Sequence, residues 1–95
     1  MSPMIPVRRP HLPWRIIEGR TVIVNPAQGQ VHELNSVATV IWEKMDGRRS
    51  LEEIAAHLTD EFEVTAEQSD RDIQTLSQTL VDLQLIDFVS TNENK

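Results

Sequence analysis

The chain of 95 residues contains no cysteine. Disulfides, thiolate zinc sites, iron–sulfur clusters and thiol nucleophiles are therefore excluded together. Glycine is scarce: Gly19, Gly29 and Gly47 each sit where a turn or a helix stop needs one, and no Gly-rich phosphate loop exists. The three histidines, His11, His32 and His57, are far apart, with no carboxylate at ligand spacing, so no metal centre is expected. Serines and threonines have no recognisable base partner, and helix caps explain Ser50 and Thr65. No catalytic group and no cofactor are expected. No apolar run approaches the roughly 18 residues of a membrane span. Pro3, Pro6, Arg8, Arg9 and Pro10 interrupt the N-terminus, so it does not read as a signal peptide. Without signal or disulfides, so small a domain points to the cytoplasm.

What is present suits one small globular domain: 39% apolar and 25% charged residues. The net charge of −6 is unevenly placed. Residues 1–20 hold four arginines against Glu18, a balance of +3. Residues 51–89 hold ten acids against Arg71, a balance of −9. That half repels nucleic acid and acidic membranes.

Four prolines in residues 1–13 argue against any regular element there, so a proline-rich flexible arm is expected. The arginines Arg8 and Arg9 in it are expected to be disordered or to dock on a partner enzyme. The folded domain should run over residues 14–89, with a frayed tail at 90–95. Trp14–Ile17 and Thr21–Val24 read as strands around a tight Glu18-Gly19 turn. Asn25-Pro26-Ala27-Gln28-Gly29 is a turn signal, and Gln30–Leu34 alternates polar and apolar residues like a half-buried third strand.

Asn35 is a good N-cap for a first helix, whose stripe is Leu34, Val37 or Ala38, Ile41, Trp42 and Met45. Asp46-Gly47 stops it, with Gly in the C′ role. Ser50-Leu51-Glu52-Glu53 is a capping box for a second helix. Thr65-Ala66-Glu67-Gln68 opens a third, carrying Ile73, Leu76, Leu80 and Leu83 and ending near Leu83 or Gln84. Residues 85–89 look like an extended segment packing back on the core. The order is three strands, then three helices: an α+β winged helix-turn-helix with a three-stranded antiparallel sheet.

A helix-turn-helix raises the possibility of a DNA-binding regulator. The third helix would read the groove, yet between residues 66 and 84 it carries Glu67, Asp70, Asp72 and Asp82 against Arg71 alone. No nucleic acid is expected as a partner. An edge strand over 30–34 could instead accept an extended peptide by strand addition. The same edge could serve a second copy, so monomer and homodimer both stay open.

The run Val31-His32-Glu33-Leu34-Asn35-Ser36-Val37-Ala38, then Val40-Ile41-Trp42-Glu43, Met45-Asp46-Gly47 and Ser50-Leu51-Glu52-Glu53-Ile54, resembles the PqqD family, named for protein D of pyrroloquinoline quinone biosynthesis. Asp70-Arg71-Asp72-Ile73 and Leu76 through Ile86 extend the resemblance, which covers about residues 14–88. It implies a non-catalytic peptide chaperone. Such domains are recognition elements that hold the leader of a ribosomally made precursor peptide on the third strand, beside the third helix. They present it to a modifying enzyme, a radical S-adenosylmethionine protein in PqqD itself. Close relatives serve leader peptidases in lasso-peptide pathways, which is the alternative reading. Carried onto this chain, the resemblance assigns peptide binding to Gln30, Val31, His32, Glu33 and Leu34 and to Asp72, Leu76, Thr79, Leu80 and Leu83. If Asp72 lines the groove, a basic or neutral leader residue should face it. One departure is Gln84, where many members have glycine, so the last helical turn is expected to differ.

Overall fold

The computed structural model describes residues 4–89. Eight elements follow in order: β1 (Ile5–Arg8), β2 (Trp14–Ile17), β3 (Arg20–Asn25), β4 (Gln30–Leu34), α1 (Ser36–Lys44), α2 (Leu51–Glu61), α3 (Ala66–Asp82) and β5 (Ile86–Val89). Strands β2, β3 and β4 form one antiparallel sheet in sequence order, which leaves β2 and β4 as its edges. The β2–β3 turn is two residues long, with Glu18 at φ 53° and Gly19 at φ 79°. This doubly positive pair matches the right-handed twist of the flanking strands.

A second sheet corrects the expectation for the N-terminal arm. Despite its proline, Ile5–Arg8 is a strand, antiparallel to β5 with Ile5 opposite Val89 and Arg8 opposite Ile86. The reason lies in the phase of the ladder. Gly47 N–H donates to the Pro6 carbonyl and Arg8 N–H to the Met45 carbonyl, both at 3.0 Å. Residues 6 and 8 thus turn their backbone groups toward the α1–α2 loop, while residues 5 and 7 face β5. The N–H that proline lacks would not have entered the β5 ladder. The arginines are also engaged. The Arg8 guanidinium donates to the carbonyls of Trp42 (2.7 Å) and Glu43 (2.9 Å), capping the C-terminal end of α1. It lies over the rings of Trp14 (5.2 Å) and Trp42 (5.9 Å), which meet edge to face. Arg9 pairs with Asp87 on β5 at 3.1 Å. The tail at 90–95 lies outside the described residues.

All three helix starts follow their capping residues. Asn35 accepts from Ala38 N–H, Ser50 and Glu53 close a reciprocal capping box, and Thr65 accepts from Gln68 N–H. The stop of α1 differs from expectation. Its C-cap is Met45, so Gly47 (φ 82°) lies beyond the C′ position. A β-carbon at Gly47 would come within 3.3 Å of the Val7 side chain, so glycine here lets the loop press on β1. At the end of α3, Gln84 itself takes the left-handed conformation (φ 63°). Its N–H donates to the Val81 carbonyl and that of Leu85 to the Leu80 carbonyl, both 2.9 Å, which is a Schellman motif without glycine.

The core lies between the inner face of the β2–β3–β4 sheet and the helices. It contains Ile23, Leu34, Ile41, Trp42, Met45, Ile54, Leu58, Ile73, Leu80, Leu85 and Ile86. One polar device fixes the sheet to α1: the buried Thr39 hydroxyl accepts from Thr21 N–H (2.9 Å) and from the Thr21 hydroxyl (2.8 Å). No helix among the described residues is long and apolar enough to cross a membrane.

Candidate peptide-binding edge and groove

Strand β4 alternates because its inner face helps close the core while its outer face meets water. Leu34 is buried and His32 half-buried on the inner side, opposite Thr21 and Ile23. Val31 and Glu33 stand on the outer side, where Val31 is 66% exposed and Glu33 pairs with Arg20 at 3.2 Å. Gln30 is exposed at the strand's start.

The backbone phase of this edge follows from one hydrogen bond. Val24 N–H donates to the Pro13 carbonyl at 2.9 Å, on the β2 side. Val24 and its β4 partner Val31 are therefore a non-hydrogen-bonded pair, and alternation makes Val22 and Glu33 another. The N–H and C=O groups of Val31 and Glu33 consequently point away from the sheet. Those of Gln30, His32 and Leu34 face β3. Thr21 N–H agrees with this phase, since it points toward Leu34 and meets the Thr39 hydroxyl there. The free edge thus presents two donors and two acceptors at the spacing an added strand requires.

A groove of about 450 Å³ opens where β4 ends. Asn35, Val37, Ala38 and Ile41 line it from the start of α1, and Asp72, Thr75, Leu76 and Thr79 from α3. The α3 residues recur at spacings of three, one and three, one stripe along the helix. Asp72, Leu76 and Thr79, three of the residues that the family resemblance assigned to peptide binding, thus occupy one wall of this cavity with Thr75. Leu80 is fully buried in the core, and Leu83 is half-buried against it. Residues 30–34 do not line this cavity; they adjoin it through Asn35. Sequence reasoning missed Thr75 and the α1 wall. The available signal was Val37, whose apolar side chain alternated with Ala38 for a place on the α1 stripe and is 37% exposed.

This surface combines polar, apolar and charged groups. Thr75, Thr79 and Asn35 offer hydrogen-bonding groups, Leu76, Val37 and Ile41 offer apolar contact, and Asp72 supplies a negative charge. Asp72 accepts from the Gln68 side chain at 2.9 Å, and among the described residues no cation pairs with it. His32 contributes a buried Nε2 that has no hydrogen-bond partner among the described residues, on the inner side of β4. Among the described residues no group of three His, Asp or Glu side chains is placed to hold a metal ion.

Comparisons with known proteins find relatives by sequence and by fold. A PqqA binding protein from Xanthomonas euvesicatoria pv. vesicatoria (strain 85-10) is 41% identical over 54 residues, which are 57% of this chain and 59% of that relative. The chain thus matches less than two thirds of that relative's length. Among solved structures, TbiB1 in complex with the TbiA(beta) leader peptide superposes with a TM-score of 0.78 at 18% identity, covering 94% of this chain and 99% of that one. A lasso peptide synthetase B1 complexed with the leader peptide gives 0.78 at 24% identity, covering 86% and 96%. These two likenesses establish the α+β fold. The family model described as Coenzyme PQQ synthesis protein D matches residues 20–86, from β3 through α3 to the start of β5, and the chain belongs to the PqqD family.

Proposed function

We propose that this protein is a non-catalytic peptide chaperone. It binds the leader of a ribosomally made precursor peptide as a strand added to β4 and presents it to a modifying enzyme. The observation that carries this reading is the phase of β4: the backbone groups of Val31 and Glu33 face outward from an edge that no other strand covers among the described residues, beside a groove walled by α3. Backbone ladders give such binding its affinity, and flanking pockets give it specificity. Val31 and Glu33 carry the ladder, with Gln30, His32 and Leu34 fixing the strand beneath it. Asp72, Leu76 and Thr79 contact the peptide's side chains, and Leu80 and Leu83 support that wall from behind. The relative named for binding PqqA, and the leader-peptide complexes among the structural neighbours, favour a leader peptide as ligand. Family membership favours a radical S-adenosylmethionine enzyme as the recipient. The acidity of α3 argues against a DNA-binding role.

The test is enrichment of peptides below about 10 kDa, in line with short leader-bearing precursors, from a nuclease-treated extract of the native host. Wild-type chain and a Val31→Pro variant serve as baits, with identification by mass spectrometry. A ribosomal peptide held by wild type and lost by Val31→Pro supports the reading. Recovery of nucleic-acid-associated proteins without any peptide overturns it.

A further inference from the structure

A second cavity, of about 240 Å³, continues the groove past Asp72. The two share Val37 and Asp72 in their walls, so a chain leaving the β4 groove toward the start of α3 meets this pocket next. Its walls are mainly apolar: Leu58 and Phe62 from the end of α2, Val64 from the α2–α3 turn, and Val37 from α1. Ser69 also lines it, but its hydroxyl is committed to the Ala55 carbonyl at 2.8 Å. The remaining two lining residues, Glu63 and Asp72, are both carboxylates. No arginine or lysine lines the pocket, and among the described residues none pairs with either acid.

This combination selects an occupant. An apolar cavity of roughly 150 Å³ takes up benzene, so the pocket holds one large side chain. A purely aliphatic or aromatic occupant would use the walls but leave the two carboxylates, both exposed at the rim, without a cationic partner. An acidic occupant would be repelled. A lysine or arginine satisfies both parts, with its methylene stem along Leu58, Phe62 and Val64 and its charged head between Glu63 and Asp72. We infer that this pocket is a specificity subsite for one basic side chain of the bound peptide, at the end of the footprint nearest the start of α3. The inference rests on the strand-addition reading above and adds the class of residue selected.

The probe is a display library of random peptides about ten residues long, which at ~3.3 Å per residue spans β4 and both cavities. It is panned on the full chain and on four variants: Val31→Pro, Glu63→Gln, Asp72→Asn and the Glu63→Gln/Asp72→Asn double variant. The expected result is recovery that Val31→Pro abolishes, with lysine or arginine enriched at one fixed position. Glu63→Gln and Asp72→Asn should each reduce that enrichment, and the double variant should remove it, without abolishing recovery. For a selected peptide, each of the two single variants should weaken binding about five- to tenfold, in line with a charge-assisted contact. Exchanging the peptide's basic residue for glutamine should cost more than either variant alone, with a smaller further loss in each single variant and none in the Glu63→Gln/Asp72→Asn double variant. Recovery that depends on Val31 but shows no basic preference overturns the subsite and leaves strand addition standing. Binding of the basic peptide by Glu63→Gln and Asp72→Asn as tightly as by the wild-type chain does the same. Failure to recover any peptide on the wild-type chain overturns both.

Discussion

Replacing Val31 by proline should cost this protein its ligand while sparing its fold. The Val31 N–H points away from β3, so its removal breaks no bond within the sheet, and the side chain is already largely in water. Proline is tolerated at such outward-facing positions of edge strands. Residue 30 lies in a strand, the conformation that a following proline favours. The expected change in stability is below about 1 kcal/mol, within the range of surface substitutions. A bound peptide, by contrast, loses a hydrogen bond worth roughly 0.5–1.5 kcal/mol net. It also meets the ring where its own carbonyl would dock. Together these should cost about 1.5–3 kcal/mol, or roughly 10- to 100-fold in Kd. His32→Pro is the matched control. Its N–H faces β3, so its loss should destabilise the fold by about 3 kcal/mol, a large share of the roughly 5–14 kcal/mol expected of a domain this size. Urea denaturation reads the first quantity, and fluorescence anisotropy of a labelled captured peptide the second. If Val31→Pro bound the peptide as wild type does, or unfolded as readily as His32→Pro, the assignment of the free edge would be refuted.

Other outcomes follow from the same structure. Arg8→Ala should destabilise the fold by about 2 kcal/mol, because two charge-assisted bonds to the end of α1 are lost; thermal denaturation should show a lowered Tm. Gln84→Gly should stabilise by about 0.5–1 kcal/mol, since glycine takes the left-handed position more readily; an unchanged or lower urea midpoint would contradict the strain assigned there. Thr39→Val should cost about 2 kcal/mol, because it leaves the buried Thr21 N–H without its acceptor, and exchange of that amide should speed up.

The elements that the sequence announced were those governed by local rules. Asn35, Ser50 and Thr65 cap their helices within three residues, and the Glu18-Gly19 turn forces its hairpin. Strand β1 was hidden because its meaning is not local. Its proline is harmless only in a phase set by β5, 80 residues away, and by the α1–α2 loop. The expectation that Arg8 and Arg9 are disordered or dock on a partner enzyme failed for the same reason, as their contacts lie on α1 and β5. In the site, the spacing along α3 could not separate Leu76, on the groove, from Leu80, in the core. Both belong to one apolar stripe, and only the packing of α3 against α2 and β5 decides which side is covered. Thr75 carried no apolar signal and escaped notice on that account. Gln84 was expected to alter the end of α3, yet the Schellman bonds form around it.

If β4 lends its edge to a peptide, amide hydrogen exchange at single-residue resolution will register it. In the free protein, the N–H groups of Val31 and Glu33 should exchange rapidly, while those of His32 and Leu34 are protected by the β3 ladder. With a captured peptide bound, Val31 and Glu33 should become protected together and His32 and Leu34 should change little. Unaltered exchange at Val31 and Glu33 in a saturated complex would contradict strand addition at this edge.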